Sequence, residues 1–495
     1  MSFGVHKNKI ICYTEYMKQS TENIAERHYA KMTETPVAKL VITLGIPTTI
    51  SMLITNLYNM ADTYFVGQLG DSQQGAIGVL FTLQSIIQAM AFMLGHGSGS
   101  FVAKELADKD VDKASEYVSS AFFLGGALGV IFSVISLCVL SPFMKFLGST
   151  DTILPYAKDY GMWVLISCPF LICSLILNNC LRYEGKAFYA MIGLVSGALL
   201  NILGDYVLIS VCGMGVFGAG MSTAISQIVS FAILLVLYLK KAQSRISFKK
   251  ISKNVKLYLS VCKVGLPSLI RQGLNSVSSG LLNNMAKLYG GQISKEMADA
   301  TIAGMSVVNR CSSFIMCVGL GVGQGLQPVA SFNYEVKQYQ RVKKALLVTT
   351  AIGFGAVALL CIPVYIFSPQ IVAFFRDSEM AIKVGAPALR YATIGLLFVP
   401  IFTPINMLYQ SIRKAWIASF LSLLRNGLTF IPVLLLTTHL WGITGIQISQ
   451  PIADVLTGII SIPFFIYFLK LATKLTKKQQ KETTQEKETV TNEEN

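Results

Sequence analysis

The sequence predicts an all-α polytopic membrane protein. It is read as twelve transmembrane helices in two six-helix lobes, related by a parallel pseudo-twofold repeat. Three observations lead there. Of 495 residues, 53% are hydrophobic and only 14% charged, where a soluble domain carries about 25% charged residues. The apolar residues are gathered in blocks of roughly 20 or more, each long enough to cross a bilayer core as a helix. The two halves of the chain also echo each other in order. The alternating short strands of a membrane barrel are absent from the pattern.

The first-half spans fall at 40–68, 75–102, 117–146, 154–180, 188–211 and 216–239. The second-half spans fall at 257–288, 300–330, 344–374, 382–411, 415–438 and 442–469. Their connections divide by charge. Connection 2–3 holds Lys104, Lys109 and Lys113, and connection 4–5 holds Arg182 and Lys186. Connection 8–9 holds Lys337, Arg341, Lys343 and Lys344, and connection 10–11 holds Arg413 and Lys414. Connection 6–7 is the longest basic run: Lys240, Lys241, Arg245, Lys249, Lys250, Lys253 and Lys256, with no acid. The alternate connections offer only Lys145, Lys158, Lys287, Lys295, Arg376 and Lys383. Lysine and arginine gather in cytoplasmic loops. Both termini are therefore expected in the cytoplasm, with the chain multi-pass in the inner (plasma) membrane of the cell.

This divides the chain into a polar N-terminal extension (1–35), a first lobe (36–240), a basic linker (241–256), a second lobe (257–470) and a tail (471–495). The tail is rich in Lys, Gln, Glu and Thr and is expected to be disordered. "LGIPTTISMLI" near Pro47 echoes "VGLPSLIRQGL" near Pro267, and "MLGHGSGSFVAKELADKD" echoes "GLGVGQGLQPVASFNYEVKQ". "GVFGAGMSTAIS" echoes "GITGIQISQPIA". Six spans followed by six keep the second half in the same orientation. Such repeats build secondary transporters, with substrate between the halves.

Other classes lack their signatures. The net charge of +15 is that of basic cytoplasmic loops, not of a nucleic-acid binder. The ten cysteines are scattered without a CxxC pair, so neither a disulfide framework nor a zinc site is read. No HExxH or Walker A sequence occurs, and no catalytic His or acid cluster marks an enzyme or asks for a cofactor.

Polar residues inside the spans point to a working site. Asp62 lies about seven residues, or ~10 Å, below the outer end of span 1. In "NILGDYVLI", Asn201 and Asp205 are four apart and share a face. Asp205 lies ~9 Å, and Thr223 of span 6 ~10 Å, below the same surface. Tyr58 sits one turn below Asp62. Two readings are open for the carboxylates. Each is hydrogen-bonded across helices or faces a watery vestibule; or together they hold a proton or a hard cation such as Na⁺.

Arg271, Arg310 and Arg425 lie ten or more residues into their spans, and Asp454 about twelve into the last. The structural reading pairs Arg271 or Arg310 with Asp454; the other lets a free arginine contact an anionic part of a substrate. Gln84, Gln88, Asn178, Asn179 and Gln227 either line a cavity or join helices. Met60, Met90, Met93, Met221, Met285, Met305 and Met316 either form an adaptable pocket or pack. "GHGSGS" (95–100) is read as small residues for close helix contact, and Glu184 in "RYEGK" as a loop residue outside the ion site.

Taken together, Pro47, "NMADTYFVGQLG", "NILGDYVLI", "GVFGAGMSTAISQ" and "GQGLQP…FN" (323–333) resemble the MATE (multidrug and toxic compound extrusion) family, in its MepA-like branch. The resemblance covers roughly 36 to 470. It implies a first-lobe cation site at Asp62, Asn201, Asp205 and Thr223, with Tyr58 as an accessory. Other branches carry acids in spans 7 and 10. Here "PSLIRQGLN" offers Asn275 and "FVPIFTPINMLYQ" offers none, so the resemblance does not extend to a second-lobe cation site.

The expectation is a monomeric antiporter in the lipid bilayer. It would export amphipathic, cationic organic compounds against H⁺ or Na⁺ by alternating access, with Pro47 as a bend point. It would need no cofactor, and no metal beyond Na⁺ at the coupling residues. The alternative is a flippase for lipid or lipid-linked oligosaccharide.

Overall fold

The computed structural model describes residues 26–375 and 378–493, which form helices, the short turns between them and an irregular linker at 242–254. The first 25 residues of the expected N-terminal extension lie outside the described residues. Helix α1 (26–34) lies before the first long helix. The first lobe then comprises α2 (Val37–Gly67), α3 (Asp71–Ala107), α4 (Val111–Cys138), the short α5 (Leu140–Phe146), α6 (Leu154–Tyr183), α7 (Ala187–Asp205) and α8 (Gly215–Lys241). The second comprises α9 (Val255–Gly291), α10 (Lys295–Glu335), α11 (Tyr339–Ile366), the short α12 (Ser368–Phe375), α13 (Glu379–Leu396), α14 (Val399–Ser411), α15 (Ala415–Leu423), α16 (Phe430–Trp441) and α17 (Ile443–Glu493).

Every expected span has its helix. Among the described residues, ten helices are long and apolar enough to cross a membrane, and α13 with α14 makes an eleventh, bent by 48°. The bend has a local cause. Pro400 stands in the first turn of α14, where its missing N–H and ring prevent α13 from continuing. The twelfth, α9, is 37 residues long but carries Lys263, Arg271 and Lys287 with several Ser and Asn residues. Its length fits a span; Lys263 and Lys287 are exposed, and Arg271 between them is only partly exposed. The expected disordered tail instead continues α17 to Glu493. Lys, Gln and Glu are good helix formers, no Gly or Pro follows Pro463, and Lys478 pairs with Glu482 one turn on.

Two spans contain a π-turn: 206–211 follows α7 and closes its span, and 424–429 lies mid-span, joining α15 to α16. Single π-turns inside helices recur at functional sites. Here each widens the helix where a charged residue, Asp205 or Arg425, must face inward.

The lobes meet along two helix pairs, α2 with α10 and α3 with α9. Glycine sets the approach. A Cβ at Gly265 of α9 would overlap the Met93 carbonyl of α3, and one at Gly97 the Val261 carbonyl. Near the basic loops the seam is hydrogen-bonded. Ser100 Oγ donates to the Ser411 carbonyl at 2.8 Å, and Ser331 Oγ to the Ser100 carbonyl at 3.1 Å. Arg413 and Lys104 converge on Glu335 from opposite lobes. Among the described residues, inter-lobe hydrogen bonds lie at this basic end or in the middle of the molecule.

Helix α1 straps the same end. His28 Nε2 meets the Glu184 carbonyl at 2.9 Å and its ring packs edge-on against Phe332 of the second lobe. Asn333 and Arg341 donate to the Met32 carbonyl. Burial pushes the His28 imidazole down to about 4, so at neutral pH the ring is uncharged and Nε2–H donates. Glu184 is not a free loop residue. Fully buried, its carboxylate accepts from the Gln243 and Ser244 backbone N–H groups at 2.7 and 3.2 Å, anchoring the linker.

Candidate cation-coupling site and central cavity

Four first-lobe helices bring oxygen side chains to one buried point. Asp62 comes from α2, Tyr160 from α6, Asn201 and Asp205 from the last turns of α7, and Thr223 from α8; all are buried. The sequence allows the close packing. At Gly220 a Cβ would stand 2.9 Å from the Tyr160 Cα, so only glycine lets α8 lie this near α6. Tyr160 Oη donates to Asp62 Oδ2 at 3.0 Å and lies 2.8 Å from Thr223 Oγ1. Asn201 Nδ2 donates to Thr223 Oγ1 at 3.2 Å and to Ser222 Oγ at 3.3 Å.

The other side of this chain of bonds is bare. Asp62 Oδ1, Asn201 Oδ1 and both Asp205 carboxylate oxygens are buried without a hydrogen-bond partner. Each such group costs about 1–3 kcal/mol. Oxygens left over by the protein's own donors are open to a water, a proton or a cation. A shared proton satisfies part of the set; a hard cation satisfies more, since all the donors are oxygens. Soft transition metals are poorly matched to such a set.

Tyr160 is the member that sequence reasoning missed. It lies six residues from the start of α6, so ~9 Å below the same surface as Asp62 and Asp205; matching depths across all six spans would have found it. Tyr160→Phe removes the donor to Asp62. The midpoint for a proton or cation bound at this cluster should change by about tenfold, the worth of a hydrogen bond to a charged group. Protons should bind more tightly, because the ionised form loses support; Na⁺ should bind more weakly, because an oxygen is lost. An unchanged midpoint in ion-titrated vesicles would remove Tyr160 from the site.

Beside this point lies a cavity of about 380 Å³ between the lobes. Tyr58, Asn201 and Thr223 line it; Asn201 and Thr223 belong to the polar cluster, and Tyr58 lies within electrostatic reach of Asp62 and Asp205. Gln88, Asn178 and Gln227 also line it, whereas Asn179, Gln84 and Met60 do not. Asn179 accepts from Arg182 at 2.6 Å. Among the methionines singled out from the sequence, Met305 and Met316 line a second cavity of about 280 Å³ in the second lobe. Arg182 is not a loop group: it is buried at the end of α6 and donates across the lobes to Gln324 and Gln327.

The second lobe builds a fixed ion pair. Arg425, in the π-turn, holds Asp454 of α17 with two bonds, Nε to Oδ1 at 2.8 Å and Nη2 to Oδ2 at 3.2 Å. This corrects the expected pairing: neither Arg271 nor Arg310 is the partner. The π-turn rotates Arg425 toward α17, while Arg271 on α9 faces the lobe interface and Arg310 belongs to α10.

The chain matches the family model MatE over residues 47–207 and 276–436, once in each half. The chain belongs to the MATE family. Within it the chain is MepA-like. It is 25% identical over 439 residues to the multidrug export protein MepA of Staphylococcus saprophyticus, covering 88% of this chain and 94% of that one. Against MepA of Staphylococcus aureus strain MRSA252 the figures are 25% over 441 residues, 88% and 95%. The fold matches a MATE crystal structure in complex with MaL6 at a TM-score of 0.83, with 23% identity over 91% of this chain and 99% of that chain. An outward-facing multidrug resistance MATE transporter matches equally, at 0.83 and 23%, over 90% and 98%. Among the described residues, this MATE protein thus carries two buried carboxylates without an ion-pair partner, Asp62 and Asp205, in the first lobe and a buried ion pair, Arg425–Asp454, in the second.

Proposed function

We propose that this protein is a secondary active multidrug efflux transporter of the cell membrane, exchanging amphipathic organic compounds against H⁺ or Na⁺. The observation that carries this reading is the buried set of unpartnered oxygens on Asp62, Asn201 and Asp205, sharing side chains with the central cavity. The multidrug export names of the staphylococcal relatives support the substrate class.

The coupling follows from that sharing. With the basic end cytoplasmic, the sealed seam and the α1 strap close the cavity to the cytoplasm, and the conformation is outward-facing. A proton or Na⁺ enters at Asp62 and Asp205 and draws their oxygens inward. Asn201, Thr223 and Tyr58 then shift where they line the cavity, and substrate affinity drops. Pro47 breaks the α2 hydrogen-bond ladder below and lets the outer half of α2 move. Release of the ion inward restores affinity on the other side. Exchange requires only that ion and substrate prefer different states, and one polypeptide carries both lobes.

The test is efflux of a fluorescent organic cation from proteoliposomes with pH and Na⁺ gradients imposed separately. One gradient alone should drive efflux. If neither does, while labelled phospholipid exchanges between leaflets, the lipid-flippase reading takes its place.

A further inference from the structure

The two cavities form one chamber: Gln272, Asn275, Ser313, Cys317 and Leu320 line both. Its charges have one sign. Arg182 lines the first cavity, Arg271 and Arg425 the second, and among the described residues no Asp or Glu lines either. Arg425 is neutralised by Asp454. Arg182 is held by the neutral amides Asn179, Gln324 and Gln327, which orient its charge without cancelling it. Arg271 has no hydrogen-bond or ion-pair partner among the described residues and lies within electrostatic reach of Arg182 and His96. Its position on α9 is sixteen residues from Val255 in a helix of 37, near the middle of the membrane.

A guanidinium at that depth is costly, and two within reach of one another repel. Arginine presents a planar fork of donors that matches a carboxylate. We propose that Arg271 is an anion-recognising subsite, the residue that decides how tightly the chamber holds amphipathic substrates bearing a carboxylate. The carboxylate is held at Arg271, with Gln272 and Asn275 beside it, and the apolar body lies toward the first-lobe cavity. A compound with only a positive charge meets no acid in the chamber lining and is held by its apolar surface and by amides. This inference rests on the transporter reading above.

The test uses the full-length protein in detergent and two fluorescent probes with one xanthylium body: a rhodamine with a free carboxylate and its methyl ester. Binding is read by polarisation. Wild type should bind both. Arg271→Gln should weaken the acid about tenfold or more, the scale of a charge-assisted bidentate contact, and leave the ester nearly unchanged. Asn275→Asp places a carboxylate one turn from Arg271; it should also lose the acid and tighten the ester, and it decides the matter if Arg271→Gln does not fold. Equal losses for both probes, or an acid unaffected by either variant, would overturn the subsite. Wild type binding the ester and not the acid would overturn it while leaving the transporter reading intact; binding of neither probe would remove that reading too. Displacement of the acid by phosphatidylglycerol and not by phosphatidylcholine in nanodiscs would assign the subsite to a lipid phosphate instead.

Discussion

Asp205→Asn and Asp62→Asn should bind substrate normally and fail to pump. Each keeps the size of the side chain and removes a charge that the proposed cycle gains and loses. In vesicles loaded with a fluorescent organic cation, gradient-driven efflux should fall to the level of protein-free vesicles, while equilibrium binding to purified protein stays near wild type. Stability should move the other way. The new amide at 205 supplies donors beside the bare Asp62 Oδ1 and Asn201 Oδ1, worth about 1 kcal/mol per bond formed. A less active, more stable protein is the signature of a site kept under-satisfied for function. Wild-type pumping with unchanged ion dependence in both variants would remove the first-lobe site.

The second large effect lies in the other lobe. Asp454→Ala should lower stability by about 3 kcal/mol, because it strands Arg425 in a mostly buried position. Asp454 is almost fully buried and also accepts from Gln450 at 2.9 Å, so two donors lose their partner together. In detergent the melting temperature should drop by on the order of 5–10 °C. The double variant Arg425→Met with Asp454→Leu should recover most of the loss, since apolar replacements of a buried pair are often neutral. An Asp454→Ala protein as stable as wild type, with an altered substrate range, would show the pair acting on substrate instead.

The sequence by itself determined the class, the span count and the repeat. In lipid the backbone must satisfy its own hydrogen bonds, so apolar length alone marks a helix, and the order of motifs marks the two halves. It also brought Asp62, Asn201, Asp205 and Thr223 to one level, because depth along a helix is simple arithmetic. It did not determine which faces meet across helices. Tyr160 shares that depth, but its contact with Asp62 depends on how α6 is rotated against α2 and α8. Asp454 chose Arg425 because a π-turn, invisible in hydropathy, turned that side chain toward α17. Arg182 and Glu184 read as loop charges until tertiary packing buried them at the seam and beneath the linker. Helix position is written in one dimension; rotation, and with it every side-chain partner, is decided only when the helices pack.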